Sequence, residues 1–101
     1  MVRGTTPTHR FGLPVSASLI SRLRLIYIQN NQIVLKKTES DMTVEDDTWS
    51  VKLTQEETFL FAAGIAEVKF RGKTIGGDVL SNDPEKPIRF VVFDSGDDEV
   101  L

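Results

Sequence analysis

Leu23 to Lys37 reads LRLIYIQNNQIVLKK, two apolar-rich alternating runs that meet at Asn30-Asn31. Asparagine tolerates the positive φ that a tight two-residue turn needs, so the stretch predicts a β-hairpin. In the first run Leu23, Leu25 and Tyr27 fall on one face, and Ile26 and Ile28 with Arg24 on the other. In the second, Ile33 and Leu35 oppose Val34 and Lys36. A strand that is apolar on both sides needs cover on both, whereas a two-layer sandwich buries only its inner faces. Arg24, Ile26, Ile28, Val34 and Lys36 are therefore the candidate interface, an outward face meant for another chain.

The same alternation recurs on both sides of the hairpin. His9 to Pro14 reads as a short edge strand ended by proline. Met42 to Glu45 is a further strand candidate, and after the polar turn Asp46-Asp47 the residues Trp49, Val51 and Leu53 alternate with Ser50, Lys52 and Thr54. Thr54-Gln55-Glu56-Glu57 has capping-box spacing, a hydroxyl at the cap and a carboxylate three residues on. It predicts a short helical turn that carries Phe59 and either Leu60 or Phe61 inward and stops at Gly64. Ala66, Val68 and Phe70 then alternate with Glu67, Lys69 and Arg71. Gly72-Lys73 is expected as a turn into a run ending near Leu80, with Gly76-Gly77 as a bulge or bend. Ile88 to Asp94, IRFVVFD, closes the series. About six to eight short strands with frequent polar turns and one helical turn late in the order predict an all-β fold, an immunoglobulin-like two-layer β-sandwich, with a small barrel or an α+β fold as the alternatives. The expected division is a loose lead-in over 1–9, a single sandwich domain over 10–94 and an acidic tail over 95–101.

At 101 residues the chain suits one domain with one core. It has no cysteine, hence no disulfide, thiolate nucleophile or cysteine metal site. No apolar run approaches the roughly 20 residues needed to cross a bilayer, and the opening MVRGTTPTHRFG lacks a signal-peptide core. Cytosolic synthesis, with no membrane partner, is the expectation. The net charge is −3 but unevenly spread: residues 1–38 hold six bases and no acid, and residues 39–101 hold fifteen acids against six bases. Kept apart in space, these halves would make complementary poles that orient association; interleaved, they would make an ordinary solvated surface.

Catalytic and cofactor chemistry finds little to stand on. His9 is the only histidine, so there is no histidine metal cluster and no acid–base pair. Asp94, Asp97, Asp98 and Glu99 lack calcium-loop spacing. Gly72, Gly76 and Gly77 do not make a phosphate loop. Lys69-Phe70-Arg71-Gly72-Lys73 interleaves bases and an aromatic as nucleic-acid-binding sheets do, but Phe70 shares the inward register of Val68. No enzyme activity, cofactor, metal, nucleic acid or small-molecule substrate is expected. Tyr27 and Trp49 are the possible ligand-contact aromatics, with core anchoring as the competing role.

Three strings carry a resemblance. The opening MVRGTTPTH with SLISRLRLIYIQNNQIVLKKTESD, the middle TWSVKLTQEETFLF, and the ending DDEVL together resemble a group of small proteins encoded in phages and prophages of Firmicutes, near virion structural genes. A looser similarity is to the N-terminal β domains of tail baseplate proteins, although a helical linker and receptor module do not follow here. The resemblance implies a noncatalytic virion structural or accessory protein, tail- or baseplate-associated, whose partners are virion proteins, with further copies of itself as a homo-oligomer the second candidate. The alternatives are a carbohydrate- or cell-surface-binding module, which needs exposed aromatics, and a small regulator of a host protein.

Overall fold

The computed structural model describes the whole chain, Met1–Leu101. Eight strands and one helical turn follow in the order β1 (Thr8–Gly12), β2 (Ile20–Gln29), β3 (Gln32–Thr38), β4 (Met42–Glu45), β5 (Thr48–Lys52), α1 (Gln55–Thr58), β6 (Gly64–Thr74), β7 (Val79–Ser81) and β8 (Ile88–Val92). They form two antiparallel sheets, the smaller in the order β1-β5-β4 and the larger in the order β3-β2-β6-β7, with β8 also on β6. The result is a mostly-β domain with two sheets and one short helical turn, a two-layer β-sandwich. No helix is long and apolar enough to cross a membrane.

Both hairpin turns are made by non-glycine residues at positive φ. Asn30 and Asn31 stand at 53° and 60°, and Asp46 and Asp47 at 50° and 62°. Positive φ at both central positions gives the turn whose twist matches the flanking strands, and Asn and Asp are the residues that tolerate it beside glycine. In the first hairpin the register shifts between Tyr27 and Ile28, which pair with Leu35 and Ile33, so Val34 is the extra residue of a bulge. Gly72 does not turn. It is buried within β6 opposite Leu23, and the reversal comes at Gly76-Gly77, where Gly77 takes φ +96°. The ladder to β2 holds β6 straight through Gly72-Lys73, a long-range constraint that local turn chemistry does not contain. β7 and β8 lie one after the other along the same edge of β6, with Arg71 opposite Ser81 and Val68 opposite Ile88.

The core forms where the two inner faces meet. Leu25, Tyr27, Ala66 and Val92 come from the larger sheet and Val51 from the smaller, while Leu53 and Phe61 come from the segments flanking α1. α1 starts on the capping box read from the sequence: Thr54 Oγ1 accepts from Glu57 N–H at 3.1 Å, and Glu57 Oε1 accepts from Thr54 N–H at 2.9 Å. Of the two residues offered for the core, Phe61 is buried and Leu60 points to solvent.

The three strings that carry the resemblance meet in space. Residues 1–3 run parallel to the end of β8: the N-terminal amine donates to Val91 O, Phe93 N–H to Met1 O, and Arg3 N–H to Phe93 O. Gly4 N–H donates to Thr58 Oγ1 at 2.9 Å, that hydroxyl donates towards Thr5 O, and Leu53 N–H donates to Pro7 O. Gly4 has φ +79° and lies so close to the Phe59 ring that a Cβ would sit 2.6 Å from it, which is why glycine stands there. The Arg3 guanidinium lies over Phe59 and reaches Asp98 at 3.3 Å and Asp94 at 3.6 Å, while Leu101 N–H donates to the Gln55 side chain. RGTTPT is thus latched onto LTQEET, and the acidic ending closes over both.

Candidate interaction face

Strand alternation assigns the outward residues of the larger sheet. Opposite the buried row Leu23, Leu25, Tyr27 and Gln29, β2 presents Arg22, Arg24, Ile26 and Ile28. The register places Arg24 against Arg71, Ile26 against Lys69 and Ile28 against Glu67 on β6, and Ile26 against Lys36 and Ile28 against Ile33 on β3. One end of the face is therefore cationic, with Arg22, Arg24, Lys36, Lys69, Arg71 and Lys73, none of which is in an ion pair. The other end is apolar: Ile26 and Ile28 are half-buried, Ile33 is 56% exposed, and Ile65 (64%) lies beside Val91 (47%). Its one carboxylate, Glu67, is bonded to Arg89 at 3.2 Å.

Arg24 and Arg71 are direct cross-strand neighbours, as are Arg22 and Lys73. Like charges placed opposite one another destabilise a sheet, and the Glu39 carboxylate, beside Arg22 and Arg24, offsets part of that repulsion. A shallow cleft at this end is lined by Arg22, Arg24, Arg71 and Lys73 together with Thr38 and Glu39. Glu39 accepts from Leu23 N–H at 3.0 Å. That bond and its own N–H, with a lesser contribution from the nearby Arg22 and Arg24, hold its carboxyl below the usual range against the opposing effect of burial.

The structure brings together Arg24, Ile26, Ile28 and Lys36 of the sequence-derived interface. Val34 departs from it: as the bulge residue it turns out of the outward row and packs, partly buried, against the core. Tyr27 and Trp49, the possible ligand-contact aromatics, are 1% and 5% exposed, on the inner faces of the two sheets. Tyr27 packs edge-on against Phe61 and Phe90, and its hydroxyl shares a 2.7 Å hydrogen bond with His9 Nδ1. Burial, then the charge of Glu57, raises the Tyr27 phenol well above its ordinary value. Burial and the N-terminal amine lower the His9 imidazole. Glu57 also pairs with Lys37; burial pushes its carboxyl up, but the Lys37 ammonium and Thr54 N–H outweigh that and hold it below the usual range.

Sequence reasoning missed Lys69, Arg71, Lys73 and Arg22 as members of this face. The signal was present as alternate positions of two strands, but only the β2–β6 register joins them. No group of three or more His, Cys, Asp or Glu side chains is placed to hold a metal ion. No family model, curated protein or solved structure matches the chain.

Proposed function

We propose that the chain is a noncatalytic structural or accessory protein of a phage or prophage virion, associated with the tail or baseplate, which docks through the outer face of its larger sheet on an acidic surface of a virion protein. The observation that carries the docking mode is the joint presence on that face of six unpaired bases and an exposed isoleucine cluster. An anionic partner relieves the cross-strand repulsion, and the isoleucines supply apolar area to hold the complex once formed. The virion context rests on the sequence resemblance. The cationic end carries no aromatic on which a base could stack, and the one exposed aromatic, Phe93, follows β8 at the opposite, apolar end, which favours an acidic protein over single-stranded nucleic acid. The burial of Tyr27 and Trp49 withdraws the aromatics that a carbohydrate-binding module would need.

For the fold we infer an immunoglobulin-like topology within the sandwich class. Three facts support it: the order β1-β5-β4 facing β3-β2-β6-β7/β8, the hairpins β2–β3 and β4–β5 each kept within one sheet, and a helical turn on the crossing from β5 to β6. The order corresponds to B-E-D facing C′-C-F-G.

The test is particle association. A tagged copy expressed in a host carrying the phage should co-purify with particles through a density gradient, and Ile28→Glu or Arg71→Glu should leave it unbound while the purified variant still unfolds cooperatively. Particles free of the unsubstituted chain would sink the reading. Light scattering at about 0.1 M and about 0.5 M salt then separates self-association from hetero-association and shows whether the apolar end holds once charge is screened.

A further inference from the structure

A second surface lies away from that face, on the flank where the two sheets diverge. β1 pairs with β5 on one edge and has no neighbour on the other. Along that open edge runs a groove of about 340 Å³ lined by all five residues of β1, by Leu25 and Tyr27, and by Val68, Phe70, Ile88 and Phe90. Side chains alternate along a strand, so what five consecutive residues share is the backbone edge. Leu53 N–H donates to Pro7 O. The antiparallel alternation from that bond aims the peptide groups of His9 and Phe11 at β5 and those of Thr8, Arg10 and Gly12 at the groove. The floor is apolar, with His9, Tyr27 and Phe90 in mutual ring contact. The smaller sheet has three strands against five in the larger, so part of the inner face of β6 and β8 has no strand above it.

We propose that this flank accepts an extended segment of a partner protein as a fourth strand of the smaller sheet, hydrogen-bonded to Thr8, Arg10 and Gly12, with apolar side chains at alternate positions inserted between the sheets. Strand addition to a free edge draws affinity from main-chain bonds and specificity from the pockets that take alternate side chains, and both parts are present here. The vacant position is itself strand-shaped: sandwiches of this order carry a further strand beside the one that β1 represents. Residues 1–3 do not fill it, since they pair with the end of β8 instead.

Charge decides between a foreign segment and a second copy. Antiparallel pairing of two β1 strands over their full length sets Arg10 directly opposite Arg10 of the second copy, an unfavourable cross-strand pair. The favoured occupant carries an acidic residue on its solvent side opposite Arg10 and apolar residues on either side of that acid. The inference does not depend on virion association, and its test shares no variant with the one above.

The experiment is a selection of random dodecapeptides, displayed on yeast, against the immobilised full chain, followed by titration of the enriched peptides as synthetic compounds. Enriched sequences should show apolar residues at every second position with Asp or Glu between them, bind one per chain, and slow amide hydrogen exchange at Thr8, Arg10 and Gly12. Arg10→Pro removes a donor that points away from β5, and proline is tolerated on an edge; it should weaken binding at least tenfold. Ile88→Lys, at an exposed position on the groove, should do the same and carries the test if Arg10→Pro fails to fold. The proposal is overturned if no peptide is enriched, if enriched peptides lack the alternation, or if binding ignores both substitutions. It is equally overturned if the free chain already dimerises through this edge, as sedimentation and protected β1 amides would show.

Discussion

Gln29 ends the inward row of β2 with an amide where the pattern calls for a hydrocarbon, and its partner explains why. Its Nε2 donates to Ala62 O and its Oε1 accepts from Ala62 N–H, both at 2.7 Å, with the side chain 7% exposed. The side chain acts as a short piece of strand that satisfies the loop between α1 and β6. Gln29→Leu fits the hydrophobic pattern better yet gives up both part-buried bonds to the Ala62 backbone. We expect it to cost about 1–3 kcal/mol, read as a lower urea midpoint with unchanged slope. His9 makes a second prediction at this scale. Its imidazole is held neutral by burial and by the N-terminal amine, so its folded pKa lies below the unfolded one. Between those two values the unfolded chain binds more protons. Stability is therefore full above the ordinary imidazole pKa, falls as the pH drops through it, and levels off below the folded value. Between about pH 7.5 and about pH 5.5 the native chain should lose stability that His9→Asn does not lose; parallel pH profiles for the two proteins would refute the assignment.

At the scale of elements, what was legible was local. Asn30-Asn31 and Asp46-Asp47 mark turns because their side chains tolerate positive φ, and Thr54 with Glu57 marks a helix start because a hydroxyl and a carboxylate satisfy end groups three residues apart. Asn31→Val puts a β-branched side chain at φ 60° and should cost about 1–2 kcal/mol, whereas Asn31→Gly should be tolerated; equal effects of the two would show that the turn does not depend on positive φ. What was not legible depended on a partner strand. Val34 leaves the outward row because of a one-residue shift between β2 and β3, and no feature of IVLKK announces that shift. Gly72-Lys73 has the chemistry of a turn, but Leu23 on the facing strand holds it in a ladder. Pro14 marked His9 to Pro14 as an edge strand, and β1 does stand at the end of its sheet, but what lies beside its open edge depends on the facing sheet.

For the whole molecule, the division of charge along the chain proved the wrong coordinate. Six bases before residue 39 and the acids after it left open either two poles or an interleaved surface, and the cationic face draws Arg22, Arg24 and Lys36 from the first part and Lys69, Arg71 and Lys73 from the second. Folding interleaves the halves by sequence and re-segregates them by sheet face. Stability should carry the mark of this. Exposed like charges repel within a screening length of about 10 Å at 0.1 M salt, and the ion pairs that salt would weaken include the half-buried Lys37–Glu57, which is screened less. Raising sodium chloride from about 0.02 M to about 0.5 M should therefore raise the urea midpoint of the isolated chain. Arg71→Glu, facing Arg24, should stabilise it by about 0.5–1 kcal/mol at the low-salt end, with the gain shrinking as salt rises. The same substitution is expected to abolish docking. A variant that is more stable yet no longer binds would mean that the repulsion on this face is kept for an anionic partner; a variant that is less stable at low salt would mean that Arg71 serves the fold, and the face would lose its claim to be the docking site.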